Sequence, residues 1–199
     1  MNDLFNFVQE TCELYNIDES HGLEHAKTCV ANVVRLIDSA SFTEEERRMA
    51  IYSVALHDMC DHKYTDVGAA AARIYGWLRS QEWTHDDAEA LILIVTTMSY
   101  SKLKMKMQNE GYPDHGPWQR VYHVVRHADL LDSYSVKRCV LYQSRITPDI
   151  TDADCRLRVL TLFRDRVFRY IEDGWIFLPE ALRMAIEQIG TARRDLALL

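Results

Sequence analysis

Apolar residues recur three and four positions apart along most of this chain, and no alternating run of β-branched residues is long enough for a strand. That confines the fold to helices packed on helices. A first helix is predicted over Leu4–Leu14 and a second over Leu23–Ile37, with Val30, Val33, Val34 and Ile37 on its apolar stripe. Thr43 with Glu46 three residues on has the form of a capping box, which starts a helix running to about Met59. Within that helix Ile51, Val54, Ala55 and Asp58 share one face, so Asp58 points where core residues point. Further helices are expected over Asp66–Arg79, from the cap Thr84 to Met98, over Trp118–Tyr134, Val136–Gln143 and Asp152–Ile171, and from Pro179 to near Gly190. The stretch Ser99–Pro117 carries Lys102, Lys104 and Lys106, then Gly111, Pro113, Gly116 and Pro117, and reads as a loop beside a site. The expected fold class is all-α, a single-domain multi-helix bundle over residues 1–199.

Five cysteines, widely spread and without a CxxC pair, argue against a disulfide framework or a thiolate zinc site and point to a reducing, cytoplasmic setting. The start Met1-Asn2-Asp3-Leu4-Phe5 lacks the marks of a signal peptide, and the most apolar run, Ala88–Met98, is too short for a bilayer, so no membrane role is expected. A net charge of −7 repels polyanions and makes duplex nucleic acid a poor partner. A small phosphorylated ligand would need local cations or a metal to overcome that field. The regions of Trp83 and Trp175, taken as exposed, are where a homo-oligomer would form.

The residues that carry chemistry are His25, the pair His57-Asp58, and Asp129. Each sits inside an apolar helical pattern, as in Leu56-His57-Asp58-Met59 and His127-Ala128-Asp129-Leu130-Leu131. A carboxylate on an inward face is costly to bury unless it is paired or meets a cation. Imidazole and carboxylate donors together suit a divalent transition metal.

The segments Ser20-His21-Gly22-Leu23-Glu24-His25, Ala55 to Lys63 and Ala128-Asp129-Leu130-Leu131-Asp132 resemble, in order, the H…HD…D motifs of the HD superfamily of metal-dependent phosphohydrolases. The stretch Thr97–Lys102 is similar to a segment of its small stand-alone members. The resemblance spans about residues 20–132, with the helices of 136–199 expected to pack on this core. It implies a helical bundle with His25, His57, Asp58 and Asp129 holding one divalent ion (Mn, Fe, Co, Ni, Zn or Mg) between helices.

Around that set, Asp61 stands nearly one turn past Asp58, where it either takes a proton from an attacking water or faces solvent at a helix end. The HD nucleotidases carry an acidic residue at this place. Lys63 either steadies a phosphoryl oxygen or ends the helix. His21, four residues before His25, is a further ligand, a phosphate donor or a cap. Lys102, Arg126 and His62 are candidates for substrate contacts, while Lys104 and Lys106 read as solvated. Tyr100, Trp118, Tyr122 and Tyr134 either stack a nucleobase or fill the core. The arginines of 156–169 read as a solvent-facing stripe.

The expected activity is hydrolysis of a nucleotide or other small phosphate ester by metal-activated water. One alternative is a di-iron oxygenase of the HD type, which needs extra histidines between the HD pair and the last Asp; His85 stands there at a predicted helix start and His115 in a Pro/Gly-rich loop, and no His stands at Thr96–Ser99, where a second-metal ligand would be expected. The other is a non-catalytic nucleotide binder that keeps the fold.

Overall fold

Five helix starts in this chain fall where the sequence supplies an oxygen to cap them. In the structure, a computed structural model that describes residues 1–106 and 111–199 apart from the side chains of Lys102, Met105 and Lys106, Thr43 begins a helix with both bonds of the capping box. Glu46 N donates to Thr43 Oγ1 at 3.2 Å, and Thr43 N donates to Glu46 Oε2 at 2.8 Å. Asp66, Thr84, Ser135 and Thr151 cap four other helices through the side-chain oxygen alone, which accepts a backbone N–H three residues on. In chain order the helices are α1 Asn2–Tyr15, α2 Leu23–Asp38, α3 Glu44–Leu56, α4 Val67–Ser80 and α5 His85–Thr97. They continue as α6 Tyr100–Lys106, α7 Gln119–Asp132, α8 Val136–Ile146, α9 Asp152–Asp165 and α10 Pro179–Leu198. The all-α expectation holds: the described residues contain helices and no strand.

Helices α2, α3 and α7 pack on one another at the centre, with α1 over α2 and α3, α5 against α3 and α4, and α10 against α7. Val33, Ala50, Val54, Leu91, Val121 and Val125 are fully buried between them. Burial of such aliphatic side chains, roughly 1.5–3 kcal/mol each, is the main force holding these helices together.

Several boundaries differ from the sequence reading, each for a local reason. α3 stops at Leu56 and tightens into a 3₁₀ turn, His57–Cys60, instead of running on to Met59 as α-helix. His57 Nδ1 lies 2.7 Å from Val54 O and occupies a carbonyl at that end. The stretch read as a loop contains α6, anchored by buried Leu103. α9 ends at Asp165, before a 3₁₀ turn Val167–Arg169, and does not reach Ile171. α10 passes through Gly190 to Leu198. Val34, placed on the apolar stripe of α2, is 37% exposed; Leu36 is buried in that helix. Trp83 and Trp175, expected to be exposed, are buried, Trp83 beneath the guanidinium of Arg48. The five cysteines are buried thiols, and no described helix is long and apolar enough to cross a membrane.

Candidate metal centre

Three elements deliver the central set. His25 comes from the first turn of α2, His57 and Asp58 from the 3₁₀ turn after α3, and Asp129 from the last turn of α7. His25 Nε2 lies 3.2 Å from His57 Nε2, 3.1 Å from Asp58 Oδ2 and 3.5 Å from Asp129 Oδ1. His57 Nε2 lies 3.4 Å from Asp58 Oδ1 and 3.5 Å from Asp129 Oδ1. His25, His57 and Asp58 therefore meet, and Asp129 joins them through its contacts with the two rings.

The protons on the two rings decide what that point can do. His25 Nδ1 lies 2.6 Å from Asp132 Oδ2, and His57 Nδ1 lies 2.7 Å from the carbonyl of Val54. Both Nδ1 atoms face acceptors, so each must carry a hydrogen, and each neutral ring turns a lone pair toward the centre through Nε2. Two imidazole lone pairs and two carboxylates then face one another, all acceptors. Asp58 Oδ2 is buried without a hydrogen-bond partner. Such a cluster needs positive charge beside it, from a metal ion, a proton or the Arg138 guanidinium, whose Nη2 lies 3.3 Å from His25 Nε2. Separations of 3.1–3.5 Å also match the edges of a coordination shell whose ligands sit about 2.0–2.2 Å from a metal. Asp129 Oδ1 stands beside both rings, and His25, His57 and Asp58 are thus close enough to hold a metal ion. Without one, a proton takes its place: burial disfavours a charged His57 ring, yet Asp58 and Asp129 outweigh it and lift the ring to about 9. Asp58 and Asp129 are held below the usual carboxylate range by the same histidines, against their burial.

A second grouping, His25, Cys29 and Asp132, lies behind the first. Its His25 nitrogen is already bonded to Asp132, and burial keeps the Cys29 thiol protonated. It supports the first site and does not compete with it.

The centre opens into a cavity of about 310 Å³, within the size range of small-molecule sites. Asp61, Lys63 and His21 line it, as the sequence reading placed them. Lys63 Nζ is 3.0 Å from Asp61 Oδ2, an ion pair on the cavity wall. His21 is set by a network: Ser20 Oγ donates to Asp18 Oδ1 at 2.5 Å and Tyr64 OH donates to Asp18 Oδ2. With both hydroxyl protons committed, His21 Nδ1 donates to the hydroxyl oxygens at 2.8 and 3.0 Å, leaving Nε2 as an acceptor. Burial pulls this ring down to about 4 against the opposing charge of Asp58, so it is neutral near pH 7.

The remaining sequence candidates do not join them. His62 is exposed and paired with Asp61 at 3.2 Å, outside the cavity lining. Arg126 is buried elsewhere, its Nη1 bonded to Trp175 O at 3.1 Å. Lys102 stands on α6, but its side chain lies outside the described residues. His85 bonds Tyr75, and His115 bonds Thr97 and stacks on Tyr122, so neither adds a second set of ligands. Of the aromatic candidates only Tyr100 lines the cavity; Tyr122 and Tyr134 are core.

Three residues with clear parts here were given none from the sequence. Asp132 orients His25. Arg138, on α8, donates from Nε to Ser20 O at 2.5 Å and places Nη2 3.3 Å from His25 Nε2 at the cavity wall. Arg166, assigned to a solvent stripe, lines the cavity, because the break in α9 at Asp165 turns it inward over the Tyr100 ring at 3.9 Å. No protein-family profile, curated protein or solved structure matches this chain.

Proposed function

We propose that this chain is a metal-dependent phosphohydrolase of the HD type that cleaves a nucleotide or another small phosphate ester. The observation that carries this reading is the acceptor-only cluster of His25, His57, Asp58 and Asp129, opening on a cavity whose walls hold Lys63, Arg138 and Arg166. A divalent ion held by those four residues supplies a Lewis acid and lowers the pKa of a water.

The chain's own residues account for the rest. Arg138, Lys63 and Arg166 present positive charge to phosphoryl oxygens, where charge grows in the transition state. Each is fixed: Arg138 by Ser20, Lys63 by Asp61, Arg166 by Tyr170, whose OH accepts from Arg166 Nε at 2.8 Å. His21 Nε2 and Asp61 are the acceptors in the cavity that can take a proton from an attacking water.

The test is phosphate release from a panel of nucleotides and simple phosphomonoesters with added Mn or Co, alongside metal analysis. One ion per chain and turnover abolished by EDTA and by Asp58→Ala are expected. Turnover surviving both treatments would overturn the proposal; binding of nucleotide and metal without turnover would leave a binder in its place.

A further inference from the structure

Arg126 is the largest of the fully buried side chains, yet it has no acidic partner among the described residues. Its Nη1 donates to Trp175 O, and its guanidinium lies 4.4 Å from the Tyr112 ring and 5.6 Å from that of Phe177. Nε and Nη2 are buried and have no hydrogen-bond partner. These two N–H groups form the side of the guanidinium that grips an oxyanion through two parallel bonds. Asp129, three residues on along α7, attracts Arg126 without bonding to it, and burial pulls the guanidinium down from its ordinary value.

One turn earlier on the same face of α7, His123 has a third unsatisfied donor. His115 N donates to Gln119 Oε1 at 2.8 Å, which fixes that amide so that Gln119 Nε2 donates to His123 Nε2 at 3.1 Å. The neutral His123 ring must then carry its hydrogen on Nδ1, an atom that is buried without a partner. Burial and the charge of Arg126 hold His123 down to about 4, so the ring is neutral. The His123 ring lies 5.1 Å from both Tyr112 and Phe177, the same two rings that flank Arg126. Three donors without an acceptor among the described residues thus belong to two side chains set against the same two rings, of which Phe177 is 40% exposed.

Buried donors left without acceptors are costly, and a buried cation without an anion more so. We propose that Arg126 and His123 form a binding site for a small oxyanion, a phosphate or a carboxylate, separate from the metal centre. The Nε and Nη2 edge of Arg126 takes two of its oxygens, His123 Nδ1 takes a bond from the side, and the rings of Tyr112 and Phe177 keep water from competing. The site is independent of the phosphohydrolase reading, since Arg126 does not line the 310 Å³ cavity.

The test follows the Arg126 Nε–H and His123 Nδ1–H signals by NMR in the full ¹⁵N-labelled chain, in EDTA. Inorganic phosphate is titrated in one arm and acetate in another, at ionic strength held constant with chloride. A saturable shift of both signals is expected, and the arm that produces it names the oxyanion. Arg126→Lys keeps the charge but not the two-pronged edge, and is expected to bind the same anion at least about tenfold more weakly. If neither anion moves the two signals in the wild-type chain, the site does not exist. A shift confined to Arg138, placing the anion in the cavity, would overturn the proposal equally, and both outcomes are read without any variant having to fold.

Discussion

Asp132 lies one turn past Asp129 on α7 and holds His25 Nδ1 at 2.6 Å, so it decides which nitrogen of that ring faces the centre. An amide in its place can present either its oxygen or its NH₂ group. Asp132→Asn is therefore expected to lower metal affinity by about 10–100-fold while the fold persists, read by competition against a chelator of known affinity. The pH response of the metal-free protein follows from His57. Its folded value, about 9, stands above the unfolded value of 6.5. A raised pKa contributes stability that is complete below the unfolded value and is lost as pH climbs through the folded one. In EDTA the melting temperature should accordingly fall between about pH 6.5 and 9, and the fall should be smaller in His57→Gln. A profile as steep in that variant would assign the effect to another group. His25, His57, Asp58 and Asp129 stood out in the sequence as polar groups within apolar helical patterns, and it was their order, resembling the H…HD…D motifs, that implied a ligand set. Asp132 stood in the same segment, but its part depends on a ring 107 positions away. Arg138 and Arg166 gave no signal, since an arginine facing a cavity and one facing solvent occupy the same helical spacing.

The elements were legible where a side chain sets the boundary and obscure where backbone and packing do. Thr43 and Glu46 announce α3 by their spacing, and both bonds form. Thr43→Ala removes the bond to Oγ1 and should cost about 1 kcal/mol, or roughly 2–4 °C in melting temperature for a domain of this size. The far end of α3 had no such marker. The 3₁₀ turn that presents both His57 and Asp58 to the centre depends on where α2 and α7 put their own ligands, which no local pattern records. Gly190 misled in the other direction. It resembles a helix terminator, yet α10 continues for two more turns, with Ala192 buried after it. A Cβ built at Gly190 meets only the end of Arg194, at 3.8 Å. Gly190→Ala should therefore stabilise by about 0.5–1 kcal/mol by restricting the unfolded chain, and thermal melts showing a loss would mean that the helix needs glycine there.

At the scale of the whole molecule, the proposed metal donors come from the elements that form the centre of the bundle: α2, the turn ending α3, and α7. The same four side chains are spread along the sequence from position 25 to position 129, so the unfolded chain cannot hold an ion with all of them. Whatever free energy binds the ion is then also folding free energy. By mass action, a free ion at a hundred times its dissociation constant adds about 2.7 kcal/mol, a rise of roughly 5–11 °C for a domain of this length. Asp129→Asn removes the only donor from α7 and should lose most of that rise. A variant of an exposed acid, such as Glu24→Gln on α2, should keep it. The comparison requires only melting curves with and without Mn, so it needs no substrate. Equal gains in Asp129→Asn and the wild-type chain would mean that the stabilising ion binds away from α7, and the link between the bundle's centre and its chemistry would be lost.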